Sequence, residues 1–174
     1  MGNILIFDFV IIGIFKIMNN LQPSIKTVWS INILIRSVFY TVITFLIEYF
    51  VIKNNIEDWI LPIGVLAVSV LVLGFILAFV APIFMYKFWK FDVREDEIYT
   101  ERGVLTRHKT TAPFSRIQHL EIQQGVIEGM FGLSKFVIYT AGTRGADLVI
   151  PGLPIEYAEA LRDQLKNITT EDAV

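Results

Sequence analysis

No cysteine occurs anywhere in the 174 residues, which excludes disulfides, thiolate catalysis and cysteine-based zinc sites. Histidine is almost missing as well. Only His108 and His119 occur, neither in a zinc-ligand spacing such as His-Glu-x-x-His, and both read as surface side chains. An excess of positive charge is also absent: the net charge is −2 and the pI is near 5.7. A general nucleic-acid binder needs a basic face, so no nucleic-acid partner is expected. Ser115 and Ser134 lack a nucleophile elbow, and Gly142–Gly145 is followed by no Gly-Lys-Ser/Thr. No internal repeat or low-complexity segment is found.

What is abundant is grease. Apolar residues make up 54% of the chain and the mean hydropathy is +0.58, too high for an ordinary water-soluble domain. Residues 1–91 hold most of the excess, whereas residues 92–174 have a normal soluble composition. Ile31–Ile52 and Trp59–Tyr86 each exceed the roughly 20 residues that cross about 30 Å of hydrocarbon. Lys53–Asp58 between them is short and polar, as a hairpin loop would be. Arg36 and Glu48, near opposite ends of the first span, are expected to snorkel to the headgroups. Pro62 is expected in the first turn of the second helix, and Pro82 to kink or loosen its far end.

Three tryptophans mark the boundaries. Trp29 precedes the first span, Trp59 opens the second and Trp89 follows it, each at the level favoured by amphipathic rings. Lys26, Lys87, Lys90 and Arg94 flank one side, against Lys53 on the other. The positive-inside rule therefore sets the hairpin loop outside and the C-terminal part in the cytoplasm of a multi-pass cell-membrane protein. Trp29, Trp59, Trp89, Lys87 and Lys90 are the expected interface anchors. Met1–Met18 is apolar but broken by Asp8 and Lys16. It reads as an interfacial helix, a third span or a start-site artefact, and no cleavable signal peptide is recognised.

The organisation that follows is an apolar segment at 1–20, a transmembrane hairpin at 21–90, a β domain at 91–168 and a tail at 169–174. Within the β domain, Phe91–Arg94 and Ile98–Glu101 are strands flanking a turn at Glu95–Glu97. Arg102-Gly103 is another turn, and Val104–Ala112 is an extended strand ended by Pro113. Ile117–Gln124 alternates, with Leu120 and Ile122 on one face and His119, Glu121 and Gln123 on the other. Val126–Gly132 is a helical turn expected to point Ile127, Met130 and Phe131 inward. Lys135–Thr140 is a strand buried on much of both faces, Gly142–Gly145 a hairpin tip and Asp147–Ile150 the returning strand. Pro154–Asn167 is an amphipathic helix, with Pro154 first and Ile155, Ala158, Leu161 and Leu165 in one stripe.

Four segments, DVREDEIYTERGVLTR, APFSRIQ, QQGVIEGMFGLSKFVIYTAG and IPGLPIEYAEALRDQL, resemble in order and spacing the bacterial PH-domain membrane family, the YdbS-like proteins. LQPSIKTVW resembles that family's lead-in, so the likeness covers about residues 20–168. It implies a membrane α-helical hairpin followed by a PH-like β domain, an antiparallel bent sheet or barrel with a C-terminal capping helix. It also implies no known catalytic residue and no known cofactor, and the residues themselves suggest no metal site. Gly129 stands where the family is expected to carry a basic residue, and Met1–Met18 has no expected counterpart.

One cluster carries a candidate site. Arg102, Arg107, Lys109 and Arg116, with His108, fall within fifteen residues of one another, and each lysine or arginine near an anionic leaflet is worth about 1 kcal/mol. These are the candidate lipid- or partner-binding residues. The competing reading is a solvated strand face. The expected function is a non-enzymatic membrane protein whose cytoplasmic domain is an interaction or scaffolding module. Its partners would be membrane lipids and another membrane protein or a second copy of itself. The alternative is an anionic-lipid sensor working through the basic cluster.

Overall fold

The structure is a computed structural model, and it describes residues 20–52, 62–94, 96–141 and 148–171. Met1–Met18, the Lys53–Asp58 loop, Trp59 and the Gly142–Gly145 tip lie outside the described residues. The chain divides into two units, Lys26–Phe84 and the remainder.

The first unit holds most of two helices: α1 (Ile25–Ile47), which runs into a π-helical turn, Glu48–Ile52, and α2 (Val65–Lys87), with Ile25 and Met85–Lys87 counted in the second unit. At 1.5 Å per residue each helix is about 34 Å long, enough to cross the hydrocarbon. Apolar side chains face outward. Phe39 and Ile83 are 62% and 60% exposed, which no water-soluble core helix tolerates at such density.

Glu48 meets the start of α2 and Ser37 meets Gly74, so the two helices run antiparallel. A Cβ at Gly74 would fall 1.9 Å from Ser37 Oγ, an approach that only small residues permit. α1 begins six residues before the Ile31 expected from hydropathy, immediately after Pro23-Ser24, so Trp29 sits within it. Pro62 precedes α2 by three residues instead of occupying its first turn, and α2 continues through Pro82.

Glu48 does not snorkel. Its side chain is 1% exposed, and its carboxylate accepts the backbone N–H groups of Gly64, Leu66 and Ala67 at 3.2, 3.1 and 3.3 Å. Gly64 at the start of α2 has no side chain to cap the free N–H groups of the first turn. The carboxylate from the other helix supplies that acceptor, with its charge at the positive end of the helix dipole.

The second unit holds two three-stranded antiparallel sheets, β1-β2-β3 and β4-β5-β6. Its strands are β1 (Lys90–Val93), β2 (Glu97–Arg102), β3 (His108–Pro113), β4 (Ile117–Gln123), β5 (Leu133–Thr140) and β6 (Leu148–Pro154). A 3₁₀ turn, Phe114–Arg116, joins the sheets, and the one-turn helix α3 (Val126–Met130) lies between β4 and β5. Helix α4 (Ile155–Glu171) packs across β4, β5 and β6.

β5 is the central strand of its sheet, and Phe136, Val137 and Ile138 are buried in succession, so both faces are covered. Ala158, Leu161 and Leu165 close the core from α4. The architecture is thus an apolar helical pair followed by a PH-like domain of two sheets and a capping helix.

Several local expectations need correction. The third strand starts at His108, because Gly103 (φ +122°) turns the chain and Gly103–Arg107 forms the hairpin loop. Pro154 ends β6 and α4 begins at Ile155. The turn after β4 is only partly as expected: Ile127 is half-buried, but Met130 is 79% and Phe131 38% exposed, and Glu128 is the buried residue. Gly125 leaves room for its carboxylate, since a Cβ there would meet Glu128 Oε2 and the side chain would have to move aside.

The lead-in segment is part of this unit. Gln22 N–H donates to the Gly152 carbonyl at 3.2 Å, and Leu21 and Ile25 are buried. Tyr86 Oη donates to the Leu21 carbonyl at 2.9 Å. Gly152 takes the left-handed conformation (φ +67°), and a Cβ there would sit 2.8 Å from Ile25 Cβ and Cγ1.

Candidate functional site

The β2–β3 hairpin gathers most of the predicted basic cluster. β2 and β3 pair Arg102 with His108 and Glu101 with Lys109, so the cluster surrounds the Gly103–Arg107 loop. Arg102, Arg107, His108 and Lys109 are all exposed. One carboxylate tempers them: Glu101 lies 4.0 Å from Arg107 and accepts from Tyr99 Oη at 3.3 Å.

Arg116 is not part of this group. It ends the 3₁₀ turn beyond the far end of β3, and the six residues of that strand alone span roughly 17 Å. Of the proposed anchors, Lys87 ends α2 and Lys90 opens β1, both exposed. Trp89 is 8% exposed, so protein rather than lipid covers its ring. Trp29 is half-buried in the second turn of α1.

Register reveals a charge asymmetry that a linear reading hides. Lys90 pairs with Glu101, which pairs with Lys109, so the start of β1 and the basic loop share one end of the sheet. The other end carries Asp92, Asp96 and Glu97. There Arg94 is held by both Asp92, at 3.3 Å, and Glu97. These contacts, with Glu97 the stronger partner and Asp92 second, raise the Arg94 guanidinium above its ordinary value.

The α3 turn has its own charge pair. Glu128, 7% exposed, meets Lys135 Nζ at 2.9 Å. Burial pushes the Glu128 carboxyl up, but the Lys135 hydrogen bond, a backbone hydrogen bond and the Lys135 charge together outweigh it. The group is held below the usual carboxylate range.

A third feature lies along β4, an edge strand of its sheet with β5 on one side. Beside it, a groove of about 440 Å³ runs between Gln118 and His119 of β4 and Arg162 and Asp163 of α4. Tyr139 Oη donates to Glu121 at 3.0 Å, a bond that raises the Tyr139 hydroxyl, with burial adding to it. His119 lies 5.7 Å from the Tyr139 ring. Both histidines are exposed, and among the described residues no three of His, Asp and Glu converge to hold a metal ion.

Sequence reasoning missed two parts of these surfaces. Leu105 at the hairpin tip is 99% exposed, and the signal available was an apolar pair, Val104-Leu105, inside a turn. The inward Glu128 was hidden because a glutamate in an amphipathic turn is ordinarily assigned to the wet side.

Residues 26–169 match the family model described as Bacterial PH domain. Two proteins of Bacillus subtilis (strain 168) are similar. UPF0699 transmembrane protein YdbS is 28% identical over 158 residues, covering 90% of this chain and 96% of the relative. UPF0699 transmembrane protein YdbT is 27% identical over 119 residues, 63% of this chain and 24% of that protein. No solved structure matches the chain.

Proposed function

The chain belongs to the bacterial PH domain family of transmembrane proteins, and from that premise we propose a non-enzymatic module that scaffolds other proteins at the membrane. The observation that carries this reading is the edge of β4 beside the α4 groove, which no other strand pairs with among the described residues. An edge strand presents unpaired backbone donors and acceptors, and an extended segment of a partner gains main-chain hydrogen bonds by adding to it. The side chains of Gln118, His119, Arg162 and Asp163 would then select the partner. The domain is cytoplasmic on this reading, and the partner is another membrane protein or a second copy.

The test is a photo-crosslinking amino acid at Gln118 in the full chain within intact membranes, with Thr111 on β3 as the comparison position. A discrete adduct with a membrane protein or another copy at 118 supports the reading. A chain that stays monomeric, with no adduct at 118, refutes it.

A second reading, attachment to anionic lipid, is favoured by the sorting of charge in the first sheet. Lys90, Arg102, Arg107 and Lys109 share one end, and the carboxylates Asp92, Asp96 and Glu97 the other. High salt should weaken such contacts between exposed charges.

A further inference from the structure

Two turns of the second unit expose large apolar side chains, and neither exposure serves the β-domain core. At the tip of the β2–β3 hairpin, Leu105 is 99% and Val104 44% exposed. On α3, Val126 is 86% and Met130 79% exposed, with Phe131 beside them. A protein in water gains nothing by displaying such residues at the tips of turns, and contiguous display marks a surface that something covers.

Both turns stand near the two places where this unit's own chain begins and resumes, at Leu21–Ile25 and at Tyr86–Lys90. Lys87 ends α2 and Lys90 opens β1, and the register Lys90–Glu101–Lys109 sets the hairpin tip at that same end of the sheet. α3 follows β4 and precedes β5, whose first residues Leu133 and Ser134 pair with Pro154 and Leu153 of β6. The neighbouring Gly152 is where Gln22 and Ile25 of the lead-in dock. Tyr86 Oη on Leu21 O joins the departing and arriving stretches within this unit.

Charge decides what kind of surface fits. The apolar tip is collared by Arg102, Arg107 and Lys109, with Glu101 the carboxylate facing them. Apolar residues ahead of a basic ring match the layering of an anionic leaflet, hydrocarbon within and phosphates at the rim. A protein partner would have to combine an apolar hollow with an acidic border, whereas a membrane supplies both everywhere.

We propose that the PH-like domain is seated on the bilayer by inserting Leu105 and the Val126–Met130–Phe131 turn among the lipids. Arg102, Arg107 and Lys109 then hold anionic headgroups around the first of these. This rests on the lipid reading above and adds to it that the domain penetrates the leaflet instead of resting on its charge.

The absence of native cysteine permits a direct test. Leu105→Cys, Met130→Cys and, as reference, Asp163→Cys are made singly in the full chain and labelled with a polarity-sensitive fluorophore. Each is reconstituted at one copy per nanodisc, in phosphatidylcholine alone or with phosphatidylglycerol added. Quenching by acyl-chain spin-labelled lipid should be several-fold stronger at 105 and 130 than at 163. Phosphatidylglycerol should increase it at 105, and the triple Arg102→Glu/Arg107→Glu/Lys109→Glu change should reduce it.

Unlabelled protein gives an independent readout: amide exchange at 103–107 should slow in discs containing phosphatidylglycerol. Labels at 105 and 130 that report water in anionic discs overturn the proposal. Charge-dependent amide protection without acyl-chain quenching leaves lipid attachment standing but overturns insertion. Shielding that arises only in discs holding two copies overturns it in favour of a protein–protein contact.

Discussion

Replacing Glu48 tests whether the hairpin is latched by a buried carboxylate. The wild-type side chain accepts three backbone N–H groups at 3.1 to 3.3 Å and is 1% exposed. With the carboxylate enclosed by protein, no water is at hand to replace an acceptor lost from the helix N-terminus. Losing an N-cap costs about 0.5–2 kcal/mol, and each stranded N–H adds a desolvation cost of about 1–3 kcal/mol, not fully additive. Glu48→Ala should therefore destabilise the helical pair by about 2–4 kcal/mol. Glu48→Gln keeps one acceptor oxygen but forfeits the charge at the helix dipole, so about 1–2 kcal/mol should be lost. The assay is reversible unfolding of the full chain in mixed micelles by titration with a denaturing detergent. If Glu48→Ala lies within about 0.5 kcal/mol of wild type, the carboxylate reaches the headgroups and the latch does not exist.

Other outcomes follow from single contacts. Gly152→Ala should cost about 2–4 kcal/mol, because the left-handed conformation strains a Cβ and that Cβ meets Ile25 at 2.8 Å. Thermal unfolding of the full chain in detergent measures it. Gly74→Ala should cost about 1–3 kcal/mol by driving a methyl into Ser37, and the added change Ser37→Gly should recover part of that, read by the same detergent titration used for Glu48. Lys135→Met should destabilise the domain at neutral pH by stranding Glu128. Because the Glu128 carboxyl is held below its ordinary value of 4.5 in the folded protein, the pair stabilises fully above that pH. That stabilisation is lost as pH falls through the lower folded value. The gap between wild type and variant should narrow only in that acid window, in melting temperatures followed against pH.

The sequence by itself determined the partition of the chain. Long apolar runs can only be dissolved in lipid or buried, and alternating residues such as those of Ile117–Gln123 can only be half-covered strands. The stripe Ile155, Ala158, Leu161, Leu165 fixed which side of α4 meets the sheet, since helical period leaves one solution. Tertiary structure decided everything that depends on partners distant along the chain. Glu48 looked like a snorkelling charge because its acceptor role is set by N–H groups sixteen to nineteen residues away. Glu128 turned inward because Gly125 leaves space and Lys135 supplies the counter-charge. The basic cluster lost Arg116 and gained Lys90 because strand pairing, not sequence distance, sets which charges share an end of a sheet. Periodicity records how one residue meets a generic environment, whereas a latch, a buried ion pair or a charged rim requires two particular residues to meet.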